Sequence, residues 1–160
     1  MAEENSLGSY LTDHMMGSIS AHDLARRCAE NNEGLVGEFF AGLAHEIGLD
    51  RETLESIASA VGVKEQPIKQ AAGVAAERLS RFKIDHRMTG SSQLSLLLEL
   101  ELLYLGIQGK ELLWRSLKAV AADDPRLSRF DFDLLAARAQ QQLAAVEEQR
   151  TQAAAHALSP

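Results

Sequence analysis

Two ionisable side chains interrupt otherwise apolar helical patterns, and they are the residues of this sequence best placed to do chemistry. Lys110 and Asp50 each occupy one step of a stripe in which apolar residues recur every three or four positions. An unpaired ammonium between Ile107 and Trp114 would be costly to bury. We therefore hypothesise that Lys110 forms a buried charge pair with Asp50 or with Glu101. The alternative is that its aliphatic stem carries the ammonium to the surface.

Glycines stand close to Lys110 on its own predicted helix. Gly106 and Gly109 each lower helix stability by about 1 kcal/mol relative to alanine. They would either let two helices approach closely or open a small cavity beside Lys110, in which a small anionic ligand could bind. The sequence contains no nucleophile–base pair, phosphate-binding glycine loop or cysteine cluster, so nothing in it indicates catalysis.

Four long helical patterns would position these residues. Gly, Pro, Asn and Ser clusters separate them, and a short fifth pattern lies in a long crossover of about 63–91. We expect Asn31–Asn32 to end the first helix, Ser91 or Ser92 to cap the third, and Asp131 or the loop before it to start the fourth. The predicted long helices cover 6–31, 33–62, 92–122 and 131–157, and the predicted crossing helix covers 67–82.

The third predicted helix carries more leucine than one core-facing stripe needs. Its stripe has unbroken steps of four and three, and seven further leucines surround it, which predicts the most buried helix of the protein. The same excess of apolar surface favours self-association. The stripe residues are Leu96, Leu100, Leu103, Ile107, Lys110, Trp114, Leu117 and Ala121, and the further leucines are Leu94, Leu97, Leu98, Leu102, Leu105, Leu112 and Leu113.

Composition favours one all-α domain over residues 1–160. Aromatic residues make up only 5% of the chain and prolines number three, which favours helices packed through aliphatic side chains. The net charge of −7 argues against binding to nucleic acid or to anionic membrane surfaces. A membrane span over 96–114 is excluded, because Glu99, Glu101, Lys110 and Glu111 would each cost about 2.5–3.5 kcal/mol near a bilayer centre.

Several features predict a cytoplasmic protein. Cys28 is the only cysteine, so an intramolecular disulfide is excluded, and the first residues lack the apolar core of a secretory signal. Residues 64–90 are locally basic, which is typical of a solvated connecting helix or of a docking face for an acidic partner. We expect a protein partner or self-association, with no nucleic acid and no membrane.

The arrangement of these helices resembles the ferritin-like superfamily. Two antiparallel hairpins joined by one long crossover cover 6–157. The segments "ELELLYLGIQGKELLW" and "LDRETLESIASAVGVKEQPIKQAAG" are also similar in sequence to uncharacterised bacterial ferritin-like proteins. The resemblance implies an up-down-down-up four-helix bundle with a short helix in the crossover. Ferritin-like di-metal enzymes bind iron or manganese in the centre of this bundle, so the resemblance raises the question whether this sequence has the same ligands.

Ferritin-like di-metal enzymes build their metal site from Glu-x-x-His pairs. A glutamate and a histidine one helical turn apart converge on one ion. None of the five histidines has a glutamate three positions before it, so the family's ligand motif is missing. Atypical ligation remains as an alternative, with the candidates His14, Glu38, His45, Glu46, Asp50, Glu99 and Glu101.

The sequence therefore predicts a non-enzymatic, metal-free ferritin-like bundle that works as a structural or protein-interaction module, without a cofactor. The alternative is an atypical di-iron or di-manganese carboxylate protein, an oxidase or an iron-binding protein. A third interpretation is a small-molecule binder in which Lys110 anchors an anion. His14 stands at a position of the first helix that also suits a hydrogen-bonded core histidine.

Overall fold

The structure is a computed structural model that describes residues 6–64, 69–70, 73–74, 77 and 92–159. Within those residues the chain is helical and has no β-strand, so the predicted all-α class is confirmed. The ends of the four long helices lie within two residues of the predicted ones. The elements are α1 (Ser6–Asn31), α2 (Gly34–Ala60), α3 (Ser92–Ala121), a 3-10 turn (Pro125–Leu127) and α4 (Phe132–Leu158).

Most of the predicted crossing helix over 67–82 lies outside the described residues. The residues that are described there, 69–70, 73–74 and 77, are helical. Ser91, one of the two predicted caps of α3, also lies outside them, and Ser92 is the first residue of α3. Most of the basic segment 64–90 lies outside them as well.

The connection from α1 to α2 is a two-residue link, Asn32 and Glu33, so the two helices form a hairpin. The predicted stop is confirmed: α1 ends at Asn31, and Asn32 Nδ2 donates to the Cys28 carbonyl oxygen at 2.8 Å. Gly37 makes the tight return feasible, because a Cβ at this position would collide with the Asn32 carbonyl oxygen.

A glycine with left-handed backbone conformation follows the carboxyl end of α2 and terminates the helix. Gly62 has a φ of +83°, and its N–H donates to the Ser59 carbonyl at 3.1 Å. The Val63 N–H donates to the Ala58 carbonyl at 2.9 Å. These two bonds form a Schellman motif, which satisfies carbonyls that the helix leaves without partners.

Aspartates cap the elements that follow α3. Asp124 accepts from the Arg126 N–H at 3.0 Å at the start of the 3-10 turn, where Pro125 needs no N–H partner. Asp131 accepts from the Leu134 N–H at 2.9 Å, which confirms the predicted start of the fourth helix.

The helices pack through their predicted stripes. The α3–α4 pair is the most extensive, followed by α1–α2 and α1–α3. Trp114 and Phe40 are fully buried at the centre. Other buried members of the core are Leu11, Met15, Ile47, Leu54, Leu100, Leu103, Ile107, Leu117, Ala139 and Val146.

Three of the seven further leucines of α3 are exposed. Leu102, Leu105 and Leu112 are 39%, 66% and 51% exposed. They point away from the core because they lie on the side of the helix opposite Leu103 and Ile107. In the part of the chain that the structure describes, no helix has the combination of length and apolarity that crossing a bilayer needs.

Candidate functional site

Asp50 is the centre of a buried polar cluster formed by α2, α3 and α4. Its carboxylate is 2% exposed and accepts hydrogen bonds from three side chains. Lys110 Nζ lies 2.6 Å from Oδ2, Gln142 Nε2 lies 3.2 Å from the same oxygen, and Arg138 Nη2 binds Oδ1. The structure thus brings together the two charged residues that interrupt the stripes of α2 and α3.

Gln142 connects the charges of this cluster. The side chain is buried, and its Oε1 accepts from Lys110 Nζ while its Nε2 donates to Asp50 Oδ2 and to Glu46 Oε2, the latter at 3.0 Å. An amide has one accepting and one donating end, so a single orientation satisfies both the ammonium and the two carboxylates. Gln142 therefore holds α4 against α2 and α3.

The cluster contains two cations and two carboxylates. Lys110 and Arg138 are the cations, Asp50 is the buried carboxylate, and Glu46 lies on the exposed side of α2. Burial lowers the pKa of the Lys110 ammonium and Arg138 adds to that change, whereas Asp50 and Glu46 oppose it. The Lys110 side chain is only 12% exposed and ends at Asp50, so its stem does not carry the charge to the surface.

A cavity of about 310 Å³ reaches this cluster from between α1, α2 and α3. Asp50, Lys110 and Trp114 lie at its inner side, and aliphatic side chains form most of the remaining wall. The other lining residues are Asp13, His14, Gly17, Ser18, Ala21, Ile47, Leu54, Leu105, Gly106, Ile107, Gly109 and Leu113.

The glycines near Lys110 have different roles. A Cβ on Gly106 would lie 3.7 Å from Ala21 Cβ, an ordinary packing distance between α3 and α1. A Cβ on Gly109 would have no neighbouring heavy atom within 4 Å. Gly109 therefore borders the cavity and does not serve close helix packing.

A second polar cluster links α3 to α4 around Glu111, which is 5% exposed. Gln108 and Gln140 donate to its carboxylate at 2.7 and 3.0 Å, and Arg115 lies 3.6 Å away. The hydrogen bond from Gln140 is the main cause of a lowered pKa for the Glu111 carboxyl; burial acts in the opposite direction. Of these contacts, the hydrogen bond from Gln140 joins α4 to α3.

The candidate metal ligands are dispersed. His14 is half-buried on the cavity wall with its ring 4.6 Å from that of Tyr10, and Glu99 accepts a hydrogen bond from the Cys28 thiol. Glu101, the other proposed partner of Lys110, lies 3.8 Å from Arg150 instead. Glu38 and His45 are exposed on α2.

The donor set does not fit a di-metal centre. Nowhere in residues 6–64, the described crossover positions or 92–159 do three or more His, Cys, Asp or Glu side chains converge as ligands would. Asp50, the buried carboxylate, already accepts from two cations and an amide. A metal ion would have to displace Lys110 or Arg138 to reach it.

Arg138 and Gln142 were not anticipated from the sequence, although they complete the cluster. Gln142 comes seven residues after Leu135 and three after Ala139, which is the spacing of the α4 stripe. A polar residue at that spacing is the signal that could have identified it. Arg138 precedes Gln142 by one helical turn, and no sequence pattern distinguishes it from a surface arginine.

Comparison with known proteins gives no match: no protein family, no curated protein and no solved structure is significantly similar to the chain. Its function is therefore inferred from the chemistry of its own surfaces and sites.

Proposed function

We propose that the chain is a ferritin-like four-helix bundle with its helices in up-down-down-up order. Contacts between α1 and α3 support opposite directions: Cys28 meets Glu99 near one end, and Ala21 meets Gly106 about two turns further along each helix. As residue numbers fall in α1 they rise in α3, which is the antiparallel relationship that this order requires.

The relationship between α2 and α3 supports the same order. Asp50 meets Lys110, and just beyond α2 the Val61 carbonyl accepts from Arg126, just beyond α3. Residue numbers rise in the same direction along the two segments, which supports a parallel arrangement of α2 and α3. The ferritin-like resemblance of the sequence agrees with this arrangement.

We further propose that protein cations take the place that metal ions hold in ferritin-like enzymes. Asp50 supports this, because its carboxylate is neutralised from inside the bundle by Lys110 and Arg138. The test is elemental analysis of protein purified without chelators and challenged anaerobically with Fe(II) and Mn(II). We expect substoichiometric metal. About two ions per chain, lost on replacing Glu99 and Glu101, would instead support the di-iron or di-manganese alternative.

The proposed role is that of a non-enzymatic interaction module that associates with a second copy of itself. The observation that carries this role is an apolar stripe on the outside of α3, here called the outer stripe. Its members follow steps of four, three, four and three, the spacing of a coiled-coil seam, on the side opposite the core. The outer stripe consists of Leu98, Leu102, Leu105, Gly109 and Leu112.

A second copy fits this stripe because its flanking charges are complementary. In an antiparallel pairing of two α3 helices, Leu102 faces Leu112 of the second copy and Leu105 faces Gly109 of the second copy. Glu101 then lies opposite Arg115 of the second copy, and the two-fold axis repeats this ion pair, so the dimer has two of them. Both side chains are accessible, Glu101 at 44% and Arg115 at 66%.

Sedimentation equilibrium at several protein concentrations tests the self-association. We expect a concentration-dependent dimer that Leu112→Glu abolishes, since the substitution places a charge in the seam. Leu134→Glu is the matched control, because Leu134 on α4 is 63% exposed and lies off the outer stripe. A strictly monomeric wild type, or equal effects of both substitutions, would refute self-association through this face.

Charge exchange tests the antiparallel geometry. Arg115→Glu and Glu101→Arg alone should each weaken the dimer, because each creates two like-charge pairs. The combined variant restores the opposite-charge pairs and should recover dimerisation. Failure of the combined variant to recover would exclude this arrangement of the two helices.

A further inference from the structure

The cavity between α1, α2 and α3 is the part of the molecule that packing alone does not explain. Its volume of about 310 Å³ lies within the range of small-molecule sites, and its wall is mainly aliphatic with few polar groups. It ends at Lys110, Asp50 and Trp114, in the interior of the bundle. An apolar wall with a charged inner end matches a ligand that has an apolar body and an ionised head.

The helices that form the cavity omit side chains where the space lies. Gly17 on α1 and Gly109 on α3 both line it, and a Cβ on either would have no neighbouring heavy atom within 4 Å. Glycine weakens a helix interior, so these positions keep the space open at the expense of local helix stability. Alanine would fit at either position without a clash, so packing does not require glycine there.

Lys110 offers the charge that such a ligand would meet. An ammonium has three N–H donors, and the hydrogen bonds among the described residues use two, to Asp50 and to Gln142. Two cations, Lys110 and Arg138, share the one buried carboxylate. Trp114 Nε1, which also lines the cavity, is buried and has no acceptor within the described part of the chain. The inner end therefore offers donors, one of them charged, to a ligand group that accepts hydrogen bonds.

Other ionisable groups at the cavity set the form of the ligand. Asp13 is exposed at the α1 side, and His14 beside it has a pKa lowered mainly by burial, which keeps the ring neutral at pH 7. The outer part of the wall thus adds no cation. A ligand with a single ionised end directed inward matches this distribution better than one with several charges.

We infer that the cavity binds a monocarboxylate with a medium-length apolar body, whose carboxylate accepts a charge-assisted hydrogen bond from Lys110 and whose body lies against Ile47, Leu54 and Leu113. A chain of about ten carbons fills the volume, taking roughly 30 Å³ for each water-sized group. This site borders the surface of the proposed self-association, because Leu105 and Gly109 of the outer stripe also line the cavity, whereas Leu102 and Leu112 do not.

Fluorescence of Trp114 reports on this binding directly, because Trp114 is the only tryptophan and lines the cavity. The probes are decanoate and 1-decanol, which share the chain and differ in the charge of the head. The protein is titrated at pH 7.5, below the critical micelle concentration, as wild type and as Leu112→Glu. The Leu112→Glu background separates binding from any effect of dimerisation.

We expect decanoate to bind with a Kd about tenfold lower than that of decanol, in both backgrounds. The paired change Asp50→Leu with Lys110→Met should remove this preference while circular dichroism shows the fold retained. Equal Kd values for the two probes in the wild type, or no change in Trp114 fluorescence with either, would overturn the inference.

Gly109→Leu locates the binding. Because Gly109 also belongs to the outer stripe, the variant is compared in the Leu112→Glu background. The new side chain enters the cavity, so the decanoate Kd should rise at least about tenfold. Gly42→Leu is the matched control, because a Cβ on Gly42 also meets nothing within 4 Å but Gly42 does not line the cavity. Unchanged affinity in Gly109→Leu, or equal loss in both variants, would assign the probe to another place and overturn the proposal.

Discussion

Lys110 Nζ and Asp50 Oδ2 lie 2.6 Å apart, although the two residues are separated by 60 positions in the chain. Their side chains are 12% and 2% exposed, so the pair is held away from bulk solvent. Such a pair gains stability only if its remaining hydrogen-bonding groups find partners. Here Gln142 accepts from Lys110 and Arg138 donates to Asp50, which leaves one Lys110 N–H without a partner among the described residues. The contact joins the middle of α2 to the middle of α3.

The three partners of Asp50 predict an unequal response to mutation. Asp50→Leu leaves Lys110 and Arg138 without a buried carboxylate and should destabilise by about 3–5 kcal/mol. Lys110→Met leaves Asp50 with Arg138 and Gln142 and should cost about 1.5–3 kcal/mol. The double variant should be more stable than Asp50→Leu alone. Urea unfolding measures all three, and equal losses in the double and both single variants would contradict the pairing.

Two glycines, one within α2 and one just after its carboxyl end, predict opposite responses to alanine. Gly62 has a φ of +83°, so Gly62→Ala should destabilise by about 1–2 kcal/mol. Gly42 lies within the helix with open space around it, so Gly42→Ala should stabilise by up to about 1 kcal/mol. Thermal unfolding of the two variants provides the comparison. A stabilising Gly62→Ala would show that α2 does not end in a Schellman motif.

Two histidines predict a loss of stability in mild acid. Burial lowers the pKa of His14 and of His22 below 6.5, and for His22 the neighbouring Arg51 lowers it further. The unfolded chain then binds more protons than the folded one, so stability is complete above pH 6.5 and falls as the pH drops toward the folded pKa values. Proton NMR titration should give values below 6.5 for both, and His14→Gln with His22→Gln should flatten the urea midpoint between pH 7.5 and 5.

The Cys28 thiol should be unreactive in the folded protein. It is fully buried, and burial together with the adjacent Glu99 carboxylate raises the pKa of the thiol. Its reaction with a disulfide reagent at pH 8 should therefore be limited by opening of the structure and should become fast in urea. Rapid labelling under native conditions would show that the α1–α3 contact at Cys28 opens readily.

Helix positions could be predicted from the sequence because the local signals agree with one another. Asn32, Gly62 and Asp131 stop or start helices through bonds made within a few residues, so their effect does not depend on the rest of the fold. The crowding of leucines on α3 was harder to interpret. Leu105 and Leu112 are apolar yet exposed, and periodicity alone does not say which of two apolar faces a bundle buries.

The site could be predicted only in part, for a physical reason. Asp50 and Lys110 are conspicuous because each replaces an apolar residue in a stripe, and a buried charge needs a partner. Arg138 sits on a polar face, where an arginine carries no signal until α4 is placed against α2. The cavity depends on distances between helices, which the sequence does not give. From the sequence Gly109 could serve either close packing or open space, and the structure shows open space beside it.

The Asp50 cluster also fixes how the helices align along their length. An aliphatic stripe with a seven-residue repeat packs almost as well after a shift of one repeat, so apolar contacts alone leave neighbouring alignments close in energy. Sliding α3 by seven residues against α2 would place Leu103 or Leu117 where Lys110 stands, and would leave Asp50 facing a leucine. Gln142 and Arg138 impose the same constraint on α4. One carboxylate thereby excludes the shifted alignments of two helices at once.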